Sequence, residues 1–307
     1  MFKKIIALFV VLVLGLFAFV GCGKDEKDDD ENKVDKFWDN FTNVEVTKVD
    51  TKGYDFVNPG KLTVAVSTDF APFEFVDLTK QGQEKFAGSD IALAKKIAEA
   101  LGLELNIKAM DFDATMVSLD NEIADIAISG FSYTVSRAAS YLYSECYYDE
   151  GDGGQVIVIK KSDETKYTTI ESMNVEGVKI AGQNGALQQT LVTQFTPNAT
   201  LVKIDDLNAA YDQLKSGALD GVAVAETVAK TIVASNSDLV IMAEPFDFKD
   251  SGSFALMKKG NTALAELINP VIKEIVAKDA YKEWVKNGDA LFQNLGSKAG
   301  ELIPEEE

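Results

Sequence analysis

Residues 177–224 carry the pattern that sets the architecture. Gly177-Val178-Lys179-Ile180-Ala181-Gly182 alternates like a strand, 186–195 reads as a helix, and Thr200-Leu201-Val202-Lys203-Ile204 is a second strand. A helix over 206–216 ends at Gly217, and Leu219-Asp220-Gly221-Val222-Ala223-Val224 is a third strand. The same alternation runs through the rest of the chain. Towards the N-terminus, Leu62-Thr63-Val64-Ala65-Val66 is a strand. Ser89 then caps a helix whose Ile91, Ala94, Ile97, Ala98 and Leu101 share one face, with Gly102 as the stop. Strands over 103–110 and 124–129 flank a short helix over 114–120. Glu150-Gly151-Asp152-Gly153-Gly154 is a flexible break before a strand over 155–159. Towards the C-terminus come a helix over 227–234, strands over 239–243 and 254–257, and a long helix over 262–287 interrupted near Pro270. The expected fold is α/β, with two similar lobes, each a mostly parallel sheet flanked by helices.

Composition narrows the function. The chain has 307 residues, a net charge of −19 and no histidine. So acidic a surface repels nucleic acid and anionic membranes. Without histidine the commonest general base and metal ligand are missing, which argues against hydrolase and zinc chemistry. We expect no cofactor, no metal and no catalytic residue.

One basic side chain stands apart. Of 30 lysines and arginines only Arg137 is arginine, in Ile128-Ser129-Gly130-Phe131-Ser132-Tyr133-Thr134-Val135-Ser136-Arg137. A guanidinium grips a carboxylate through two parallel hydrogen bonds, whereas an ammonium is a point charge. Thr134 reads as an N-cap, which puts Arg137 third in the helix, beside the positive end of the dipole. A cation there breaks a helix rule unless an anion shares the site, so the position points to carboxylate binding; the simpler alternative is a surface ion pair.

The first residues read as a targeting segment. Met1-Phe2-Lys3-Lys4 is positive and residues 5–20 are apolar, a run shorter than the roughly 20 residues that span a bilayer comfortably. Phe19-Val20-Gly21-Cys22 resembles the lipobox of bacterial lipoprotein signal peptides, with Phe19 where leucine is usual. That resemblance implies a signal peptide over 1–21, lipidation (palmitate) of Cys22, and an anchor on the outer face of the cell membrane. Residues 22–58 then form an acidic disordered tether, part of which Trp38, Phe41, Val44 and Val46 could dock on the domain. The remaining cysteine, Cys146, is expected to be a small buried apolar residue.

Several segments, taken in order, carry a wider resemblance. They are Ser67-Thr68-Asp69-Phe70-Ala71-Pro72-Phe73-Glu74-Phe75, Gly88-Ser89-Asp90-Ile91, Met110-Asp111-Phe112-Asp113, the run from Ile128 to Arg137, and Gly185-Ala186-Leu187-Gln188. Together they resemble the extracellular amino-acid-binding proteins of ABC importers, bacterial solute-binding protein family 3, over about residues 61–288. The resemblance implies a type II periplasmic-binding-protein fold, with lobe 1 from 59–149 and 249–303 and lobe 2 from 150–248. The lobes would close about hinge strands near 149–154 and 244–248. It also implies a monomer that takes a small-molecule amino acid, serves a membrane permease, and is not an enzyme.

Site roles follow from the same resemblance. Arg137 would clamp the ligand's α-carboxylate, helped by Ser132 and amides around Gly130, with amides of Gly185, Ala186, Leu187 and Gln188 from the second lobe. Phe70 and Phe112 would sandwich the ligand body, and a backbone carbonyl of Ser129 or Gly130 would accept from its amino group. Phe73 and Phe75 are assigned to the core. The family usually places an ammonium-binding aspartate where this chain has Ala225, so Glu226 is the candidate replacement. Ser67 sits near where binders of cationic amino acids often carry aspartate, which weighs against a lysine or arginine ligand. The alternative function is a periplasmic cyclic-carboxylate dehydratase on the same fold, with Glu226, Asp69 or Glu74 as the acid.

Overall fold

The structure, a computed structural model, describes residues 44–149, 154–249 and 252–300. In chain order the elements are β1 (Lys61–Val66), β2 (Phe75–Asp77), β3 (Phe86–Ala87), α1 (Ser89–Leu101), β4 (Glu104–Ala109), α2 (Phe112–Asp120), β5 (Ile126–Ser132), α3 (Val135–Ser140) and β6 (Tyr141–Tyr148). There follow β7 (Gln155–Lys160), α4 (Ile170–Met173), β8 (Lys179–Gln183), α5 (Leu187–Phe195), β9 (Thr200–Ile204), α6 (Leu207–Ser216), β10 (Gly221–Ala225), α7 (Glu226–Ser235) and β11 (Leu239–Ile241). The chain then continues through β12 (Ser253–Lys258), α8 (Thr262–Ala277), α9 (Ala280–Leu295) and β13 (Ala299–Gly300).

Two five-stranded sheets define two lobes, ordered β4-β1-β5-β12-β6 and β9-β8-β10-β7-β11. The first three strands of each run parallel. The fourth, β12 or β7, is antiparallel to both neighbours. In each lobe that odd strand is the one the chain enters on crossing from the other lobe. The α/β reading therefore holds, and the exceptions to parallel pairing are the crossings themselves. A small sheet, β13-β2-β3, completes the first lobe.

Burial explains why these segments are strands. Leu62, Val64 and Val66 of β1 and Ile126 and Ile128 of β5 enter one core with α1, α8 and α9. Ala65, Ala127 and Phe131, one residue out of phase, meet Phe112, Met116 and Leu119 of α2 on the opposite face. A central strand covered by helices on both sides must be apolar at successive positions. Each Val, Leu or Ile so buried contributes about 1.5–3 kcal/mol.

Several boundaries differ from the sequence expectation. Gly88, at φ 115°, takes the N-cap position, and Ser89 is the first helical residue, its hydroxyl 3.1 Å from the Tyr281 hydroxyl. The C-terminal helix runs unbroken through Pro270. Pro270 is exposed, so water can satisfy the carbonyl four residues earlier that a proline leaves without its N–H. The break comes later, at Asp279, in the left-handed region at φ 52°. Residues 244–248 form no strand; Phe246 is buried, its N–H bonded to Gln155 O at 2.9 Å.

Residues 44–58 also depart from a disordered tether. Val44, Val46, Val49, Tyr54 and Phe56 pack against the first lobe. Val49 N–H bonds to Ala100 O at 2.9 Å, and Val57 N–H to Asp125 Oδ1 at 2.8 Å. Trp38, Phe41 and Cys22 lie outside the described residues. Cys146 is only partly buried, its thiol directed at Tyr148 O at 3.3 Å. Among the described residues no helix is long and apolar enough to cross a membrane.

Candidate functional site

In open α/β sheets ligands bind beyond the carboxyl ends of the parallel strands. Here those ends meet between the lobes: Ser67 to Phe70 follow β1, α3 follows β5, Asn184 to Ala186 follow β8, and α7 follows β10.

Arg137 lies at this junction. Thr134 caps α3 as expected, its hydroxyl accepting from Arg137 N–H at 3.1 Å. The residue is only 7% exposed. Its guanidinium donates from Nη1 to Ser132 O at 2.6 Å and from Nη2 to Gly185 O, in the other lobe, at 2.9 Å. It stands over the rings of Phe131 and Phe112, 5.3 and 5.8 Å from their centroids. A buried arginine bonded to carbonyls of both lobes is unlike the surface ion pair considered above.

The aromatic candidates both come from the first lobe. Phe112 opens α2 and packs on Phe131 at 5.0 Å between centroids. Phe70 is half-buried and stacks on Phe73 at 5.5 Å. Its ring covers Gly130, where φ is +56° and a Cβ would lie 2.7 Å from Phe70 Cε1. Phe73 and Phe75 are core residues, as assigned.

Beneath Gly130 runs a network of buried acids. Gly130 N–H donates to Asp90 Oδ2 at 3.0 Å, which also accepts from Tyr147 OH at 3.1 Å, while Tyr281 OH holds the other oxygen. Ser129 Oγ accepts from Ser67 N–H at 3.1 Å and donates to Glu74. The Ser129 side chain is thus committed to the scaffold. Burial, then the neighbouring Asp90 charge, pushes the Glu74 carboxyl well above its usual range; burial also raises Asp90.

The second lobe presents the start of α5. Gly185 approaches α2 closely, its virtual Cβ 3.1 Å from Asp113 Cβ and Met116 Cε. Ala186 is the N-cap, and its N–H closes a turn on Gln183 O at 3.1 Å. Leu187 enters the second-lobe core, and Gln188 Nε2 donates to the buried Gln155 Oε1 at 2.6 Å. Gln155 pairs with Ala225 across β7 and β10, so the two side chains share one face of the sheet. Glu226 has partners of its own: Gly154 N–H at 3.2 Å and Lys230 at 2.7 Å.

The structure adds one residue that the sequence reading considered only as a possible acid. Asp69, 7% exposed, accepts from Ser67 Oγ at 2.7 Å, Gln183 Nε2 at 2.8 Å and Leu207 N–H at 2.9 Å. Burial raises its carboxyl to about 6, despite these donors.

Two α/β lobes, with parallel-strand ends of both meeting at their junction, form the architecture of a solute-binding protein. Residues 62–287 match the bacterial extracellular solute-binding proteins, family 3, and the chain belongs to that family. The arginine-binding extracellular protein ArtP of Bacillus subtilis is 27% identical over 219 residues, 70% of this chain and 80% of ArtP. The ABC transporter glutamine-binding protein GlnH of the same organism is 24% identical over 94% of this chain and 99% of GlnH. Among solved structures, the amino acid ABC transporter substrate-binding protein AbpA of Streptococcus pneumoniae, bound to L-arginine, is 33% identical with a TM-score of 0.70, covering 76% of this chain and 95% of AbpA.

Proposed function

We propose that the protein captures an amino acid between its two lobes and delivers it to an ABC-type importer. The observation that carries this reading is Arg137, a buried guanidinium at the junction of the lobes in a chain otherwise supplied with lysine. Arg137 takes the ligand's α-carboxylate, beside the first amides of α5, whose helix N-terminus suits an anion. Phe70 and Phe112 hold the ligand body. Relatives named for arginine, cystine and glutamine support an amino acid as ligand. In the mature protein Cys22 carries the lipid anchor, and a tether keeps the receptor near its permease.

The protein acts as a receptor, without catalysis. An ancestral amino-acid-binding protein described as a precursor of cyclohexadienyl dehydratase is 26% identical, with a TM-score of 0.65. In this chain, however, the acids such chemistry would use have other partners: Asp69 with Gln183 and Leu207, Glu74 with Ser129, and Glu226 with Lys230. A thermal-shift screen of the common amino acids tests the reading. A cognate ligand at 100 times its dissociation constant stabilises by about 2.7 kcal/mol, and a screen without any such shift contradicts it.

A further inference from the structure

Asp69 bonds directly to the opposite lobe. Two of its donors, Gln183 Nε2 and Leu207 N–H, belong to the second lobe. Both halves are held in place beforehand. Ser67 Oγ orients the Asp69 carboxylate from within its own lobe, and Gln183 Nε2 is also tied to Asp205 O at 3.1 Å. Leu207 is the first residue of α6, a ten-residue helix that already has a cap in its own lobe, since Asp206 accepts from Ala209 N–H. Asp69 satisfies a further N-terminal amide of that helix from the opposite lobe, where a carboxylate also meets the positive end of the dipole. None of these groups is among those assigned to the ligand, unlike the crossing bond from Arg137 to Gly185; further crossing bonds join α7 to α9, where Thr231 Oγ1 donates to Asp289 Oδ1 at 2.7 Å and Gln293 Nε2 to Thr231 O at 2.9 Å.

We propose that Asp69, Gln183 and the N-terminus of α6 form an interlobe latch that biases the receptor towards its closed conformer through contacts separate from the ligand's own. The proposal rests on the two-lobed receptor reading. Asp69 is then a positioning residue for binding. A ligand whose competent state is only partly populated binds more weakly by that fraction, so loosening the latch lowers affinity without removing a ligand contact.

Three full-chain variants test this: Asp69→Ala, Gln183→Ala and the double substitution. Small-angle X-ray scattering without added amino acid reads closure, and near-ultraviolet circular dichroism checks that each variant is folded. Either single variant is expected to raise the radius of gyration. The double variant should add little to the larger single effect, because the two groups form one contact. If Asp69→Ala fails to fold, Gln183→Ala on the other lobe still decides. Wild-type scattering from a folded Gln183→Ala variant overturns the proposal, as does simple additivity. A parallel titration with the amino acid identified by thermal shift should show affinity lowered roughly threefold or more. If no amino acid binds, the receptor reading fails, while the scattering still tests the latch.

Discussion

Nη2 of Arg137 and the carbonyl oxygen of Gly185 are 2.9 Å apart although the two residues belong to different lobes. The same guanidinium holds Ser132 O in its own lobe, so one side chain joins the ends of β5 and β8. A planar fork can make these bonds in fixed directions; a flexible ammonium has no such geometry. Arg137→Lys should therefore weaken binding of the cognate amino acid by more than about tenfold, read by calorimetry. Unchanged affinity would remove Arg137 from the site.

Gly130 is held between Phe70 above and Asp90 below. Gly130→Ala combines φ +56° with a Cβ 2.7 Å from the Phe70 ring. A non-glycine residue in that region costs about 1–3 kcal/mol, and the displaced ring belongs to the proposed ligand wall. We expect a lower melting temperature together with a lower affinity. A variant with wild-type affinity would show that Phe70 does not line the site.

The Glu74 and Asp90 pair links stability to pH. Glu74 is raised above its ordinary value of 4.5 by burial and then by Asp90, so the folded chain keeps a proton that the unfolded chain releases. Its stabilising effect is fully present below 4.5 and is lost as pH rises through the folded value. The slope is at most about 1.4 kcal/mol per pH unit for one proton. Glu74→Gln keeps the shape and removes the titration. Its denaturant-unfolding free energy should fall less than that of the wild type between mildly acid and alkaline pH; parallel curves for the two proteins would contradict this.

Much of this organisation can be read along the chain. The alternation of strand and helix gives the lobes, and Thr134 at the start of a short helix gives the position of Arg137. What could not be read depends on contacts distant in sequence. The strand β6, Tyr-Leu-Tyr-Ser-Glu-Cys-Tyr-Tyr, lacks clean alternation and is placed by pairing with β12. Nothing local separates the antiparallel β7 and β12 from their parallel neighbours. Asp69 reads as one acid among many until Gln183 and Leu207, more than a hundred residues on, are brought to it. The Pro270 expectation failed because an exposed helix face tolerates the missing N–H.

Replacing Cys22 tests the proposed anchor. Cys22→Ser should abolish acylation, read by mass spectrometry as the absence of a lipid mass on the N-terminal peptide. A variant that still carries the lipid mass would refute anchoring through Cys22.

The central claim is that Arg137 recognises a carboxylate at the junction of the lobes. The most direct measurement is calorimetric titration of the wild-type chain with its cognate amino acid and with that amino acid's α-amide. The amide keeps the side chain and ammonium but cannot accept two charge-assisted bonds from a guanidinium. At least about a tenfold loss of affinity is expected for the amide, and little difference between the two ligands in Arg137→Ala. Equal affinity of the wild type for acid and amide would contradict it.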